Sequence, residues 1–149
     1  MISKEKLMIE MQDKAVKNVF TDYNHIELVD MGVDHAVFRL KIHPESKNSF
    51  GMVHGGAIYA MADNAAGFAA HTDGRHYVTQ SSSMNFFSNQ AEGEIRATAY
   101  VRHRGRSISL AVVDITGEGG KLIAAGEFSY FCVDKSLLDA KAAKAEEND

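Results

Sequence analysis

A chain of 149 residues with 45% hydrophobic content forms one domain whose core takes roughly 70% of the unfolded surface out of water. The formal net charge of −4 and a pI near 6.0 exclude a general nucleic-acid binder, which needs a basic face, and the single cysteine, Cys132, excludes an internal disulfide framework and fits a reducing compartment. Glu5, Glu10 and Asp13 interrupt the N-terminal segment, which therefore lacks the apolar stretch of a secretory signal, and no run reaches the roughly 18 apolar residues of a spanning helix, so a cytoplasmic protein without membrane insertion is expected.

From Met1 to Phe20, the residues Leu7, Met8, Met11, Ala15 and Val19 recur at spacings of three and four, which predicts one amphipathic helix lying on the body of the domain. We take residues 1–22 as this N-terminal helix, 23–134 as the folded domain and 135–149 as a tail. His25 to Ile42 holds two short apolar runs around Met31-Gly32-Val33-Asp34, a pattern of two strands and a turn. Pro44 ends the second. A buried helix is expected to begin near His54 and to stop between His71 and Gly74, where Thr72-Asp73-Gly74 supplies turn chemistry.

After His76 the period changes from helix to strand. Ile95, Ala97, Ala99 and Val101 alternate with Arg96, Thr98, Tyr100 and Arg102, and Ile108 to Ile115 and Leu122 to Val133 are further β-rich runs. Arg104-Gly105-Arg106 and Gly117-Glu118-Gly119-Gly120 separate these runs and read as hairpin connections. The Ala-, Lys- and Glu-rich tail from Ser136 has few apolar anchors and predicts a marginal helix or frayed end. An antiparallel sheet with one apolar face needs a cover, and the element apolar enough is the helix from Ala57 to Ala70, whose alanines permit close approach. The expected class is α+β, with the sheet wrapped around a central helix as in the hotdog fold.

That helix carries one anomaly. Nearly every side chain from Ala57 to Ala70 is small or apolar, so it reads as buried all round, yet it contains Asp63, and an unpartnered buried carboxylate is costly.

The motif Asn48-x5-His54-Gly55-Gly56-x6-Asp63 resembles the PaaI-like acyl-CoA thioesterases of the hotdog superfamily. The strand Val78 to Ser88, the segment VRHRGRSISLAVVDI and the last strand GKLIAAGEFSYF extend the likeness over His25 to Val133. The resemblance implies acyl-CoA thioester hydrolysis, no cofactor, dimeric assembly, and a homotetramer built as a dimer of dimers. It implies that the Gly55 N–H holds the thioester oxyanion and that the Asn48 side-chain amide shares the carbonyl. Thr79 stands where the family carries Ser or Thr near the acid. The family's usual proline after that strand is replaced by Ser88-Asn89-Gln90, which puts the loop geometry there in question.

Physical chemistry leads to the same assignment. A helix N-terminus offers free N–H groups and a favourable dipole to an oxyanion, and glycine at Gly55 and Gly56 lets substrate approach the backbone without a Cβ in the way. His54 orients the thioester or binds the turn. Asp63 serves as general base for the attacking water or as nucleophile forming a mixed anhydride. Alternation places Thr79 on one face with Ser81, Ser83 and Asn85. Gly55 and Asp63 are eight residues apart, or about 12 Å along one helix at 1.5 Å per residue, too far to act on one carbonyl. If both are catalytic, the site lies between two chains, and a two-fold homodimer has two shared active sites.

Arg102, Arg104 and Arg106, with His103, concentrate positive charge at one hairpin, and the CoA phosphates need such partners; Arg104, Gly105 and Arg106 are the expected nucleotide anchors. Tyr59, Phe68, Met84, Phe86 and Phe87 are candidate pocket walls. His71-x-Asp73-x2-His76 is a weak pattern for a metal, and none is expected. Two other classes compete with the hydrolase: a non-enzymatic acyl-CoA sensor, which can dispense with the carboxylate, and a hotdog dehydratase or hydratase, whose histidine and acid set fits this spacing less well.

Overall fold

A computed structural model describes residues 2–16, 18–133 and 135–147. In chain order the elements are helices α1 (Lys4–Val16) and α2 (Val19–Tyr23), strands β1 (Ile26–Gly32) and β2 (His35–Lys41), helix α3 (Gly55–His71), strands β3 (His76–Phe86), β4 (Glu94–Arg104), β5 (Ile108–Thr116) and β6 (Leu122–Val133), and helix α4 (Lys135–Glu146). The strands form one sheet in the order β1-β2-β4-β5-β6-β3, every pairing antiparallel.

Period-two alternation along the strands turns one row of each toward α3. Ala36, Phe38 and Leu40 of β2, Ile95, Ala97 and Ala99 of β4, and Ala111, Val113 and Ile115 of β5 are all buried. They meet Ile58, Met61, Ala62, Ala65, Ala66, Ala69 and Ala70 of α3, also buried. Small residues on both surfaces bring helix and sheet close together, which is the hotdog arrangement expected from the sequence. Beyond the helix end, Gly74 has φ +83°, which glycine adopts without penalty. The Thr72 hydroxyl donates to Ala69 O at 2.7 Å and accepts from Asp34 N at 2.9 Å, fastening the β1–β2 turn to the end of α3.

Three expectations need correction. The single N-terminal helix is two helices, because the Asn18 side chain accepts from Thr21 N at 3.2 Å and caps a new start. Helix α3 is not buried all round: Tyr59, Asp63, Asn64, Gly67 and His71 are half-buried, since the sheet covers the opposite face alone. Nor does Thr79 share a face with Ser81, Ser83 and Asn85. A bulge between Thr79 and Ser81 inserts one residue and inverts the alternation. Thr79 is thus level with Tyr130, and Ser82 with Phe128, both of which point inward as buried residues.

The two sheet edges differ. Strand β1 packs against α1 and α2. Strand β3 has eleven residues, is exposed from Val78 through Ser83, and pairs on one side alone, with β6. A long open edge of this kind is a template for another strand.

Candidate active site

Asp63 sits in the middle of α3 on its half-buried side. Its Oδ1 accepts from the Thr79 hydroxyl at 2.9 Å and from the Tyr130 hydroxyl at 2.8 Å, and the same Tyr130 hydroxyl reaches the Asp63 main-chain oxygen at 2.8 Å. No described group bonds Oδ2. Burial, and after it the Asp63 carboxylate, push the Tyr130 phenol far above its ordinary pKa, so it remains a donor. The two hydroxyl donors fix the plane of the carboxylate and leave one oxygen for chemistry.

Tyr130 was missed by the sequence reading. It is one aromatic residue in a β-rich run, and only the register Thr79↔Tyr130 brings it to the acid. The available signal was its phenol in an otherwise inward row, since a buried Tyr hydroxyl takes a partner.

His54 and Gly55 form the start of α3, and Asn48 lies in the preceding loop, next to the Lys47–Val53 bridge. His54 is the N-cap, and its Nδ1 accepts from Gly56 N at 2.8 Å, so a neutral ring carries its proton on Nε2. The Gly55 N–H has no partner among the described residues. A Cβ at Gly55 would meet only the Phe86 ring, at 3.8 Å, so packing within the chain does not require glycine there. At Gly56 a Cβ would fall 3.0 Å from His54 Nδ1. Gly56, expected to bind substrate, instead serves the cap, and its N–H is already engaged.

Asn48 Oδ1 accepts from Phe50 N at 2.9 Å and Met52 N at 3.1 Å, a local turn that leaves the side-chain NH2 as a donor. The Ser88-Asn89-Gln90 segment braces the approach to His54: Asn89 Nδ2 donates to Val53 O at 2.9 Å, and Val53 N donates to Gln90 O at 3.0 Å. These residues hold the loop without the proline.

The arginine hairpin is put to another use. Arg104, expected to anchor a nucleotide, turns inward with its side chain 22% exposed. It donates from Nε and Nη2 to Asp34 Oδ1 at 3.0 and 2.7 Å, and from Nη1 to Asp73 Oδ2 at 2.7 Å, Tyr77 Oη at 3.0 Å and Ala70 O at 3.0 Å. Those contacts occupy the guanidinium and tie β4 to the end of α3. Gly105 is fixed by its turn, since a Cβ there would collide with Ile108 O, and its carbonyl accepts from Arg75 Nη2 at 2.9 Å. Arg106 keeps an exposed side chain that no described group engages. Arg102 makes one long contact, to Glu127 at 3.5 Å.

Burial raises the Asp73 pKa, but hydrogen bonds from Tyr77 and Arg75 and the Arg104 charge outweigh it, leaving the carboxyl below its ordinary value. His71 has both ring nitrogens engaged, Nδ1 with Gly67 O at 2.6 Å and Nε2 with Tyr77 N at 3.3 Å. Among the described residues, no three His, Cys, Asp or Glu side chains gather as a metal site.

A cavity of about 420 Å³ opens beside Asp63, Thr79 and Tyr130. Phe68 lines it, while Asn48, His54 and Gly55 do not. Of the other candidate walls, Phe86 lies at Gly55 and the Tyr59 hydroxyl bonds Ser82 at 2.5 Å. Within one chain the acid and the helix N-terminus are therefore separate.

The Thioesterase superfamily model matches residues 50–124. Human acyl-coenzyme A thioesterase 13 is 32% identical over 105 residues, covering 68% of this chain and 75% of that protein. The acyl-coenzyme A thioesterase PaaI of Escherichia coli K12 is 25% identical over 123 residues, 76% of this chain and 88% of that one. A structure of a mutant phenylacetic acid degradation protein PaaI from Thermus thermophilus superposes with a TM-score of 0.74 at 26% identity, covering 78% of this chain and 100% of the other.

Proposed function

Because the chain belongs to the thioesterase superfamily, its site has to receive an acyl thioester, and we propose that it does so between two copies, with Asp63 of one facing the Gly55 N–H of the other. The enzyme is an acyl-CoA thioesterase, releasing free acid and CoA. The observation that carries the site assignment is the Asp63 carboxylate, clamped on one oxygen and open on the other, about 12 Å along α3 from an unengaged helix N–H.

Asp63 acts as general base. Its free Oδ2 takes a proton from water as the water oxygen bonds the thioester carbon. The carbonyl becomes an oxyanion, which the Gly55 N–H of the second copy and the Asn48 amide receive at the positive end of the helix. Collapse breaks the C–S bond, and the proton on Asp63 passes to the departing thiolate. Thr79 and Tyr130 hold Oδ1 in place and leave Oδ2 for the water proton, which supports the general-base reading. His54 holds the glycine turn and presents Nε2–H outward.

The open β3 edge supports pairing of two copies, and two such dimers joined through another surface make the homotetramer. Arg106, with Arg102 and His103 beside it, is the cation left for the CoA phosphates.

Thiol release from a panel of aryl, short-chain and medium-chain acyl-CoA thioesters tests the assignment. Asp63→Asn is expected to reduce turnover at least about a hundredfold. Tight acyl-CoA binding without turnover in the parent protein would point to a sensor instead.

A further inference from the structure

The cavity beside Asp63 is built from two parts of the chain with different standing. Asp63, Phe68, Tyr77 and Thr79 come from the span that matches the family. Leu7, Glu10 and Met11 come from α1, which lies well before that span. Met11 is 4% exposed, and Leu7 and Met8 pack against the core, so the apolar stripe of α1 faces the domain above the acid.

We propose that α1 is the specificity wall of the acyl pocket, and that the cavity beneath it takes an uncharged aryl or medium-chain acyl group against Leu7 and Met11. The inference rests on Asp63 attacking a thioester through water. A carbonyl carbon placed at Oδ2 has its sulfur and its acyl group on opposite sides. The Gly55 N–H of the second copy takes the carbonyl oxygen, and the apolar cavity that Asp63 itself lines takes the acyl group. At about 420 Å³ the space lies within the range of small-molecule pockets.

Its chemistry selects against a second carboxylate. Asp63 and Glu10 both line it, and the Arg75 guanidinium at its rim is engaged by Asp73 Oδ2 at 2.7 Å, Arg106 O at 2.8 Å and Gly105 O at 2.9 Å. Phe68, the Tyr77 ring and Met11 offer the apolar surface that a ring or chain displaces water from.

The test compares kcat/KM for acetyl-, hexanoyl-, decanoyl- and phenylacetyl-CoA in the full chain and in Met11→Trp and Met11→Ala. Filling the wall with Trp is expected to lower the decanoyl-to-acetyl ratio at least about tenfold, and removing the side chain to raise it, since one methylene in an apolar pocket changes discrimination by about 10- to 200-fold. Equal proportional losses on every substrate in both variants would reduce α1 to a structural role and leave the thioesterase assignment standing. If the parent turns over none of the panel, that assignment fails, and the wall is read from calorimetric binding of the uncharged decanamide and phenylacetamide. A tenfold weaker affinity in Met11→Trp then sustains the wall, and unchanged affinity overturns it.

Discussion

The hydroxyl of Tyr130 on β6 bonds both the carboxylate Oδ1 and the main-chain oxygen of Asp63 on α3, at 2.8 Å each. One buried phenol thus fixes the acid to its own helix, while Thr79 supplies a second donor from β3. The carboxylate is oriented before any substrate arrives, and such pre-arrangement is where enzymes gain most of their electrostatic advantage.

Tyr130→Phe keeps the ring stacked on Phe128 and removes only the donor. A hydrogen bond to a charged group is worth about 1.5–3 kcal/mol, so kcat is expected to fall about 10- to 100-fold with little change in KM. Because burial and then the Asp63 carboxylate raise the Tyr130 pKa, its ionisation contributes no alkaline limb, and the alkaline side of the pH–rate profile should be the same in both proteins. A lost alkaline limb in the variant would mean that Tyr130 itself exchanges a proton in the reaction.

Gly55→Pro deletes the proposed oxyanion donor with small structural cost. Proline is favoured at the first helical position, and His54 already has the extended conformation, φ −66° and ψ 133°, that a residue before proline requires. We expect a melting temperature close to that of the parent and a kcat about 10²- to 10³-fold lower. Full activity in Gly55→Pro would remove the helix N–H from the mechanism.

Neither Asp63→Asn nor Gly55→Pro homodimers should turn over, yet a hybrid of the two carries one site with both lesions and one with none. Mixing them under conditions of proven subunit exchange should restore activity to as much as half the parent value per hybrid dimer. Continued inactivity of the mixture would show that each chain works alone.

Arg104 and Arg106 should separate cleanly. Arg104→Ala breaks contacts to Asp34 and Asp73, the latter side chain 18% exposed, and is expected to cost about 1–3 kcal/mol in urea unfolding. Arg106→Glu should leave stability alone and raise KM for acyl-CoA far more than for a truncated pantetheine thioester. The Asp73 carboxyl sits below its ordinary pKa in the folded protein. Its contribution is therefore full above the unfolded value and is lost as pH falls through the lower, folded one. Asp73→Asn should flatten the acid side of the stability profile, and an unchanged profile would place the acid sensitivity in other groups.

Much of the domain was legible in the sequence because its signals are local. Periodicity located the strands and α3, the alanines of α3 announced a close helix–sheet contact, and His-Gly-Gly marked the start of that helix. The placement of Asp63 in that helix separates it from Gly55 by helical rise alone, so that a site using both would need a second chain. What depends on register and on contacts between distant segments was decided by the tertiary structure. The bulge after Thr79 inverted the strand faces, β6 delivered Tyr130 to the acid, and Asp34 and Asp73, 39 residues apart in number, converged on Arg104 and removed it from the surface. Side-chain spacing along one element is fixed by covalent geometry; which donor meets which acceptor across elements is fixed only when the core packs.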